Sequence, residues 1–333
     1  MMKKIIYIAI ILLGFFSCKN NPKTETKAQI KYPSDVIPFM ENWKILLGDG
    51  TRSKNLINFQ KDDFFYLENE KGTNWVVYKT PNAGITSKTS KNTRTELHQK
   101  EYWIPETGGK LTGTLKVQHV STTGDATSSS SFSVVVGQIH SAEGHENEPL
   151  KIYYKKFPSH TKGSVFWNYE INPKGDNSGR FDYSTAVWGY DFSVVGKSAT
   201  EYPEEPKNGI ALGEEFTYEV FVEKGIMHLT FTSQNHQKVT FTKSLINSEF
   251  STQATIPEQV IKRYANKRKV TPEKETAYAG ELNYFKQGAY NQANQKSTKS
   301  EVYGGNITKQ YANGSFAEVW FKSSTLSTSK HIQ

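Results

Sequence analysis

Beyond residue 32, most apolar segments of the chain alternate with polar residues at a period of two and are rich in Val, Ile, Phe, Tyr and Trp. This spacing is typical of β-strands, because successive side chains of a strand point to opposite faces of its sheet. Lys224 and Gly225 supply a hairpin turn between two of the segments. The clearest predicted strands are 74–78, 111–120, 132–139, 165–171, 216–223, 227–232 and 317–321.

Helix-period segments are few and short, and the most plausible longer helix is 257–267, which has a basic face and no strong apolar stripe. The chain shows no internal repeat and no second linker. The pattern therefore predicts an all-β protein, a single antiparallel β-sandwich or jelly roll over residues 32–333. The least regular stretch, 141–213, is rich in Gly, Pro, Ser and aromatic residues, and we expect long loops there over one face.

The N-terminal segment has the pattern of an export signal. Lys3 and Lys4 precede an apolar run that is too short to span a bilayer but suits a signal-peptide core. Ser17 followed by Cys18 resembles a bacterial lipoprotein cleavage site, at which the cysteine becomes the lipidated first residue. Phe15 and Phe16 depart from that pattern, so ordinary signal cleavage is the alternative.

These features predict a signal peptide of lipoprotein type over 1–18 and a flexible polar tether over 19–31. We expect an exported protein, an outer-membrane or cell-surface lipoprotein that meets the membrane only through its lipid anchor. A periplasmic or secreted location is the alternative, and we expect a monomer.

Composition narrows the classes of partner. The 41 Lys and Arg exceed the 33 Asp and Glu, which gives a net charge of +8 and favours nucleic acid, an acidic membrane surface or an acidic polysaccharide. Aromatic residues make up 13% of the chain, which disfavours disorder. The single cysteine excludes an intramolecular disulfide framework and any site built from several cysteines.

Three strand-like segments each place polar side chains along one face. In the second segment, we expect the apolar face of Phe132, Val134 and Val136 to end in Gln138 and His140, as suits the wall of a cleft. In the third, we expect the glycine to leave space between its lysine and its second tyrosine. The residues on the three faces are Arg94, Glu96 and His98 in 93–98, Gln138 and His140 in 132–140, and Tyr284, Lys286, Gly288, Tyr290 and Gln292 in 284–292.

Each of these residues has a structural interpretation when taken singly. Arg94 and Glu96 could form a surface ion pair, His140 could be a buried histidine with satisfied hydrogen bonds, and the tyrosines could be core aromatics. The combination of arginine, glutamine, histidine, lysine and tyrosine on matching faces favours a functional site instead.

The segments 94–97 (RTEL), 138–140 (QIH) and 284–292 (YFKQGAYNQ) resemble the three signature strands of the alginate lyases of polysaccharide lyase family 7. This resemblance implies a β-jelly roll whose concave sheet forms a groove for an acidic polymer. It also implies an enzyme that cleaves the 1,4-glycosidic bond of alginate by β-elimination and releases unsaturated oligosaccharides or monomer. The first motif departs at His98, where the family commonly has a second arginine.

A lyase of this kind removes the C5 proton, which is α to the uronate carboxylate, and expels the O4 glycosidic oxygen. Arg94 and Gln138 could stabilise the charge that develops on the carboxylate, and His140 could donate to it or act as base. The resemblance assigns the base in guluronate to His140, and assigns to Tyr290 protonation of the leaving oxygen and, for same-side elimination, the base as well. The predicted catalytic residues are Arg94, Gln138, His140 and Tyr290, and the predicted substrate-binding residues are Glu96, His98, Tyr284, Lys286 and Gln292. Glu96 would also orient Arg94.

Two finer features bear on substrate and cleavage mode. Ile139 resembles family members that act on guluronate-containing blocks, which favours guluronate or mixed blocks. The insert 141–213 could close one end of the groove, which would favour exolytic trimming.

Other classes of function fit less well. Glu143, His145 and Glu146 follow His140 closely, but their spacing does not match a helical zinc motif, so we expect no metal and no cofactor. No sequence signature of a nucleic-acid-binding domain is visible. The serious alternative is a carbohydrate-binding jelly-roll lipoprotein without catalytic activity.

Overall fold

Two antiparallel sheets form the framework of the protein, which we describe from a computed structural model over residues 30–86, 90–143, 147–173, 179–264, 269–293 and 306–328. The strands of the first sheet are β1 (Trp43–Leu46), β2 (Arg52–Ser53), β5 (Arg94–Gln99), β7 (Ser133–Ser141), β8 (Leu150–Lys155), β9 (Lys162–Glu170), β10 (Asp182–Trp188), β11 (Ile210–Ala211) and β15 (Asn283–Asn291). The strands of the second sheet are β3 (Phe65–Glu70), β4 (Thr73–Pro81), β6 (Gly109–His119), β12 (Glu215–Glu223), β13 (Ile226–Ser233), β14 (Val239–Ser244) and β16 (Phe316–Thr328). The predicted antiparallel β-sandwich is confirmed.

The strand order is β10-β9-β8-β7-β15-β5-β1-β2 in the first sheet, with β11 paired to β9, and β14-β13-β12-β6-β16-β4-β3 in the second. Lys224 and Gly225 form the predicted hairpin turn between β12 and β13, and both have positive φ. The helices of the described residues are short, namely α1 (Pro33–Val36), α2 (Glu258–Tyr264) and α3 (Ile307–Ala312), with 3₁₀ turns at Met40–Asn42 and Gln253–Thr255. No helix in these ranges has the length and apolar character needed to cross a membrane.

The prediction of long loops over 141–213 is only partly right, because β8, β9, β10 and β11 all lie within it. Every residue of Leu150–Lys155 is buried, so this strand shows no alternation of polar and apolar positions. The strand Asp182–Trp188 was not predicted for the opposite reason, because its first five residues are not buried and so do not alternate between buried and exposed positions. The signal peptide, Cys18 and nearly all of the predicted tether, 1–29, lie outside the described residues.

The hydrophobic core lies between the two sheets. Leu97 of β5, Ile139 of β7 and Phe285 of β15 are completely buried members of it. Polar contacts also cross this core; in one of them, Nε2 of Gln287 donates to the Tyr218 hydroxyl oxygen over 2.6 Å. Burial without this partner would be costly, so the contact ties β15 to β12 of the second sheet.

A bulge in β7 changes which of its residues face outward. The register with β8 shifts between Val135 and Gly137, so Val134 and Val136 lie in the core while Gln138 and His140 lie on the opposite face. The prediction that one face runs from Val134 into Gln138 is therefore wrong. A bulge inserts an extra residue and moves the alternation of side chains by one position.

Candidate active site

The three polar segments become neighbouring strands, because β15 pairs with β7 on one side and with β5 on the other. Lys286 lies between Gln138 of β7 and His98 of β5 in the sheet register. By the same pairing, Tyr290 lies opposite Arg94 and Tyr284 lies opposite His140. Residues directly opposite each other in an antiparallel pair share a face, so these side chains meet on the face turned away from the second sheet.

Glu96 is the centre of the cluster. Its carboxylate accepts a hydrogen bond from Nε2 of Gln138 and lies 2.7 Å from Nζ of Lys286 and 3.1 Å from Nη1 of Arg94. Burial alone would raise the pKa of Glu96, but the positive charges of Lys286 and Arg94 outweigh it and lower that pKa. Because the Glu96 side chain is 1% exposed and that of Arg94 is 11% exposed, the interpretation as a surface ion pair is wrong.

Arg94 packs against Tyr290. Its guanidinium carbon lies 3.7 Å from the centroid of the Tyr290 ring, a cation–π contact. Ser90 links the two, since its Oγ accepts from Nη2 of Arg94 over 3.0 Å and lies 3.1 Å from the Tyr290 hydroxyl oxygen. Burial disfavours the charge on Arg94, yet Tyr290 and Glu96 keep its pKa above the ordinary value. Arg94 therefore stays ionised, and its buried Nε has no hydrogen-bond partner among the described residues.

Tyr284 is stacked between two histidines. Its ring centroid lies 4.0 Å from that of His98 and 5.0 Å from that of His140, with interplanar angles of 9° and 16°. Burial lowers the pKa of His98 to about 2, and Lys286 adds to the effect. Both the burial and the aromatic stack fit a neutral His98.

Both ring nitrogens of His140 have a close polar neighbour. Its Nδ1 lies 2.7 Å from the carbonyl oxygen of Ser141, and its Nε2 lies 3.6 Å from Oε1 of Glu148. Burial lowers the pKa of His140 to about 4, although the negative charge of Glu148 opposes this shift. The ring is therefore neutral near pH 7 and able to accept a proton.

A second buried cluster of charges adjoins His140. Nζ of Lys151 lies 3.4 Å from Glu148, 3.6 Å from Glu170 and 3.4 Å from Asp182, and Nε of Arg180 lies 3.2 Å from Glu170. Burial would raise the pKa of Glu148, but Lys151 and a hydrogen bond with Glu170 bring it well below its ordinary value. Burial raises the pKa of Glu170 well above its ordinary value, and the charges of Glu148 and Asp182 add to this despite Lys151. Glu148 is thus the ionised member of the pair.

The two predicted glutamines, Gln138 and Gln292, differ in how far their side-chain amides are already hydrogen-bonded. Gln138 is 1% exposed and uses one amide hydrogen on Glu96, which leaves the second amide hydrogen free to bind a ligand. Gln292 follows the end of β15, where its backbone N–H donates to the carbonyl of Ser133 over 2.9 Å. Its Nε2 has no hydrogen-bond partner in the described part of the chain.

Gly288 has a different function from the predicted one. Its φ is +142°, and a Cβ added to it would lie 2.6 Å from the carbonyl oxygen of Thr95 and 2.9 Å from Cδ1 of Tyr78. The backbone conformation and the close approach of β5 require glycine here, so the glycine serves strand pairing rather than making space between Lys286 and Tyr290.

Sequence reasoning missed Ser90, Glu148 and Glu170. Ser90 lies in a polar segment with no periodic pattern. Glu148 precedes β8 and Glu170 is the last residue of β9, so their contact depends on how these two strands pair. Within the described ranges no three His, Cys, Asp or Glu residues are grouped as metal ligands. His145 and Glu146 of the zinc alternative lie outside those ranges.

Comparison with known proteins is consistent across sequence and structure. The model of the family "Alginate lyase" matches residues 37–328. The crystal structure of the exolytic PL7 alginate lyase AlyA5 from Zobellia galactanivorans is 63% identical and covers 91% of this chain and 100% of that chain, with a TM-score of 0.87.

More distant relatives agree. An alginate lyase of Klebsiella pneumoniae is 28% identical over 290 residues, which cover 77% of this chain and 79% of that protein. The crystal structure of the alginate lyase from Klebsiella pneumoniae matches with a TM-score of 0.64 at 22% identity, over 90% of this chain and 99% of that chain, and supports the fold alone. The three signature strands, the sandwich fold and these matches together show that the chain belongs to the alginate lyases of polysaccharide lyase family 7.

Proposed function

We propose that this polysaccharide lyase cleaves the 1,4-glycosidic bond of alginate by β-elimination, with Arg94, Gln138, His140 and Tyr290 as its catalytic residues. One observation carries the proposal: these four side chains, which come from β5, β7 and β15, converge on one face of three adjacent strands. The 63% identical relative, which is described as an exolytic alginate lyase, supports the substrate.

Stabilisation of charge is the first requirement of the reaction. The C5 proton lies α to an ionised carboxylate, and its removal places further negative charge on the carboxylate oxygens. Donors aimed at those oxygens lower the barrier because they bind the transition state more tightly than the ground state. The unpartnered Nε–H of Arg94 and the free amide hydrogen of Gln138 are such donors.

Proton transfer is the second requirement. Neutral His140 can take the C5 proton when that proton and the leaving group lie on opposite faces of the sugar, as in guluronate. The C5–H electron pair forms the C4=C5 double bond, the C4–O4 bond breaks, and the Tyr290 hydroxyl gives its proton to O4. For same-side elimination, Tyr290 serves as both base and acid.

The proposal also includes five substrate-binding residues, namely Glu96, His98, Tyr284, Lys286 and Gln292. Glu96 acts mainly by orienting Arg94, Gln138 and Lys286, because its carboxylate is already engaged with all three. Tyr284, which stacks between His98 and His140, lies directly beside the proposed base.

The ultraviolet absorbance of alginate mixed with the purified protein tests the proposal, because elimination produces a conjugated unsaturated uronate. We expect the wild-type protein to raise the absorbance and Tyr290→Phe and His140→Ala to abolish the rise while keeping the fold. Tyr66→Phe, on β3 of the second sheet, is the matched control and should remain active. Near-normal activity of Tyr290→Phe would refute this mechanism.

Binding of alginate without any rise in absorbance would instead indicate the carbohydrate-binding alternative. Such a protein could keep the cations and aromatic residues but has no need for Gln138, His140 and Tyr290 together.

We also propose exolytic action on guluronate or mixed blocks. The exolytic relative supports the mode. Ile139 lies in the core, so any effect on block preference must pass through its neighbours Gln138 and His140. Product sizing on defined oligoguluronate and oligomannuronate tests both points: early release of mostly monomer supports exolytic action, and a ladder of sizes contradicts it.

For the full chain we propose an exported monomeric lipoprotein with a signal peptide over 1–18, a tether over 19–31 and a catalytic domain over 32–333. Incorporation of labelled palmitate into the wild-type protein, and its loss in Cys18→Ala, would support the anchor. An unlabelled wild-type protein found entirely in the soluble fraction would refute it.

A further inference from the structure

The proposed reaction does not use the charge cluster of Glu148, Lys151, Glu170, Asp182 and Arg180. It touches the reaction centre at one point, where Oε1 of Glu148 lies 3.6 Å from Nε2 of His140. The side chain of Glu148 is 16% exposed and that of His140 is 11% exposed. Solvent therefore screens this pair poorly.

One hydrogen bond of His140 fixes its tautomer. The carbonyl oxygen of Ser141, 2.7 Å from Nδ1, can only accept, so Nδ1 carries the hydrogen. The lone pair of the neutral ring then lies on Nε2, the nitrogen that faces Glu148. Protonation of Nε2 would turn this contact into an ion pair between an imidazolium and a carboxylate.

The protonation states within the cluster decide which carboxyl group acts on His140. Glu148 stays ionised, while Glu170, whose pKa lies well above its ordinary value, is the protonated member of the pair. The negative charge that faces Nε2 is therefore that of Glu148, and an opposite charge this close favours the protonated form of His140.

We propose that Glu148 is a positioning residue that stabilises the imidazolium formed when Nε2 of His140 takes the C5 proton. This inference rests on the proposed function for its catalytic meaning. The proton passes from C5 to Nε2, and the carboxylate of Glu148 remains ionised throughout.

The other groups that face His140 act against protonation or are neutral. Lys286 from β15 and Arg94 from β5 are cations, which disfavour an imidazolium. Tyr284 stacks on the ring, and His98 lies on the far side of Tyr284. Among these described groups Glu148 provides the carboxylate that favours protonation. Its removal should therefore lower the pKa of His140.

Histidine NMR on ¹⁵N-labelled protein without substrate tests the proposal independently of activity. We expect His140, assigned by comparison with His140→Ala, to show the Nδ1–H tautomer in the wild-type protein. Glu148→Gln should lower the pKa of His140 by about one unit or more, as loss of an adjacent opposite charge predicts. Asp182→Asn is the matched control, because it alters the same cluster at Lys151 rather than at His140, and should leave the pKa of His140 in place.

Kinetics give the second readout. On oligoguluronate, Glu148→Gln should lower kcat about tenfold with little change in KM, and should move the acidic limb of the pH profile to lower pH. Glu148→Asp should restore the limb in part, because it returns the charge. A purely structural effect would lower activity without moving the limb.

The outcomes separate the two proposals. An Nε2–H tautomer, or an unmoved pKa of His140 in Glu148→Gln, overturns the inference even if the enzyme is active. A wild-type protein that cleaves no alginate refutes the proposed function, while the NMR result still decides whether Glu148 controls the protonation of His140.

Discussion

Single residues in this site depend on shared partners rather than on isolated contacts. Glu96 anchors the side chains of Arg94, Gln138 and Lys286 from three strands through one buried carboxylate. Loss of such a carboxylate leaves two buried cations without their counter-charge. Site geometry and local stability should therefore respond together to changes at Glu96.

Glu96→Gln should lower the free energy of unfolding by about 3–5 kcal/mol, the range for breaking a buried ion pair, and should also reduce kcat. Urea denaturation measures the first effect. Glu258→Gln is the control, since its ion pair with Lys262 has side chains that are 77% and 73% exposed and should contribute about 1 kcal/mol or less. Equal losses in the two variants would contradict a central position for Glu96.

Arg94→Ala should act mainly through kcat, because the contribution of its guanidinium grows with the charge that develops on the substrate carboxylate. Arg94→Lys keeps the charge but loses the planar fork, and should recover only part of the rate. Steady-state kinetics on oligoguluronate measure both. A change confined to KM would show that Arg94 only binds substrate.

At the scale of elements, β15 decides whether the site forms, since it holds β7 and β5 in register on either side. Gly288 lies at a register shift of this strand against β7 and has a backbone conformation that L side chains rarely adopt. The position therefore couples strand pairing to the placement of Lys286 and Tyr290.

Gly288→Ala should destabilise the protein by about 1–3 kcal/mol from backbone strain, with a further loss from the contact with Thr95, and should reduce activity. Gly72→Ala is the matched control, because Gly72 also has a positive φ, +83°, but an added Cβ meets nothing within 4 Å. Urea denaturation of both variants separates strain from contact, and equal losses would contradict the importance of the close approach.

Strands with one buried and one polar face were the easiest to predict from sequence. Glu215–Glu223 alternates regularly between buried and less buried residues, so its period was visible. Leu150–Lys155 is buried at every residue, so a search for a period of two missed this strand. Ser133–Ser141 contains a bulge, so the same search assigned its apolar face wrongly. Arg94, Gln138, His140 and Tyr290 were predictable from local motifs, whereas Ser90 and Glu148 join the site only through contacts between segments distant in sequence.

At the scale of the whole molecule, neutral buried histidines make stability depend on pH. The pKa of His98 is about 2 and that of His140 about 4 in the folded protein, below the value of about 6.5 for an unperturbed histidine. Below pH 6.5 the unfolded chain binds more protons than the folded one, so stability should fall as the pH drops from 6.5 toward 4.

His98→Gln should reduce this acid sensitivity, because one proton-binding group disappears from the unfolded state. Each such group contributes a slope of about 1.4 kcal/mol per pH unit in this window. Urea denaturation at pH 7 and pH 5 measures the slope, with His228→Gln on β13 of the second sheet as the control. An unchanged slope in His98→Gln would contradict a neutral, buried His98.

The order in which the chain is made has a consequence for how it can fold. The last two strands in the described part of the chain, β15 and β16, are central strands, inserted between β7 and β5 in one sheet and between β6 and β4 in the other. Until they arrive, each sheet consists of two separate parts with open inner edges, which can pair wrongly with other chains. Folding must wait for pairings between distant segments, which is slow, and the chain has no active site until its C-terminal strands are in place.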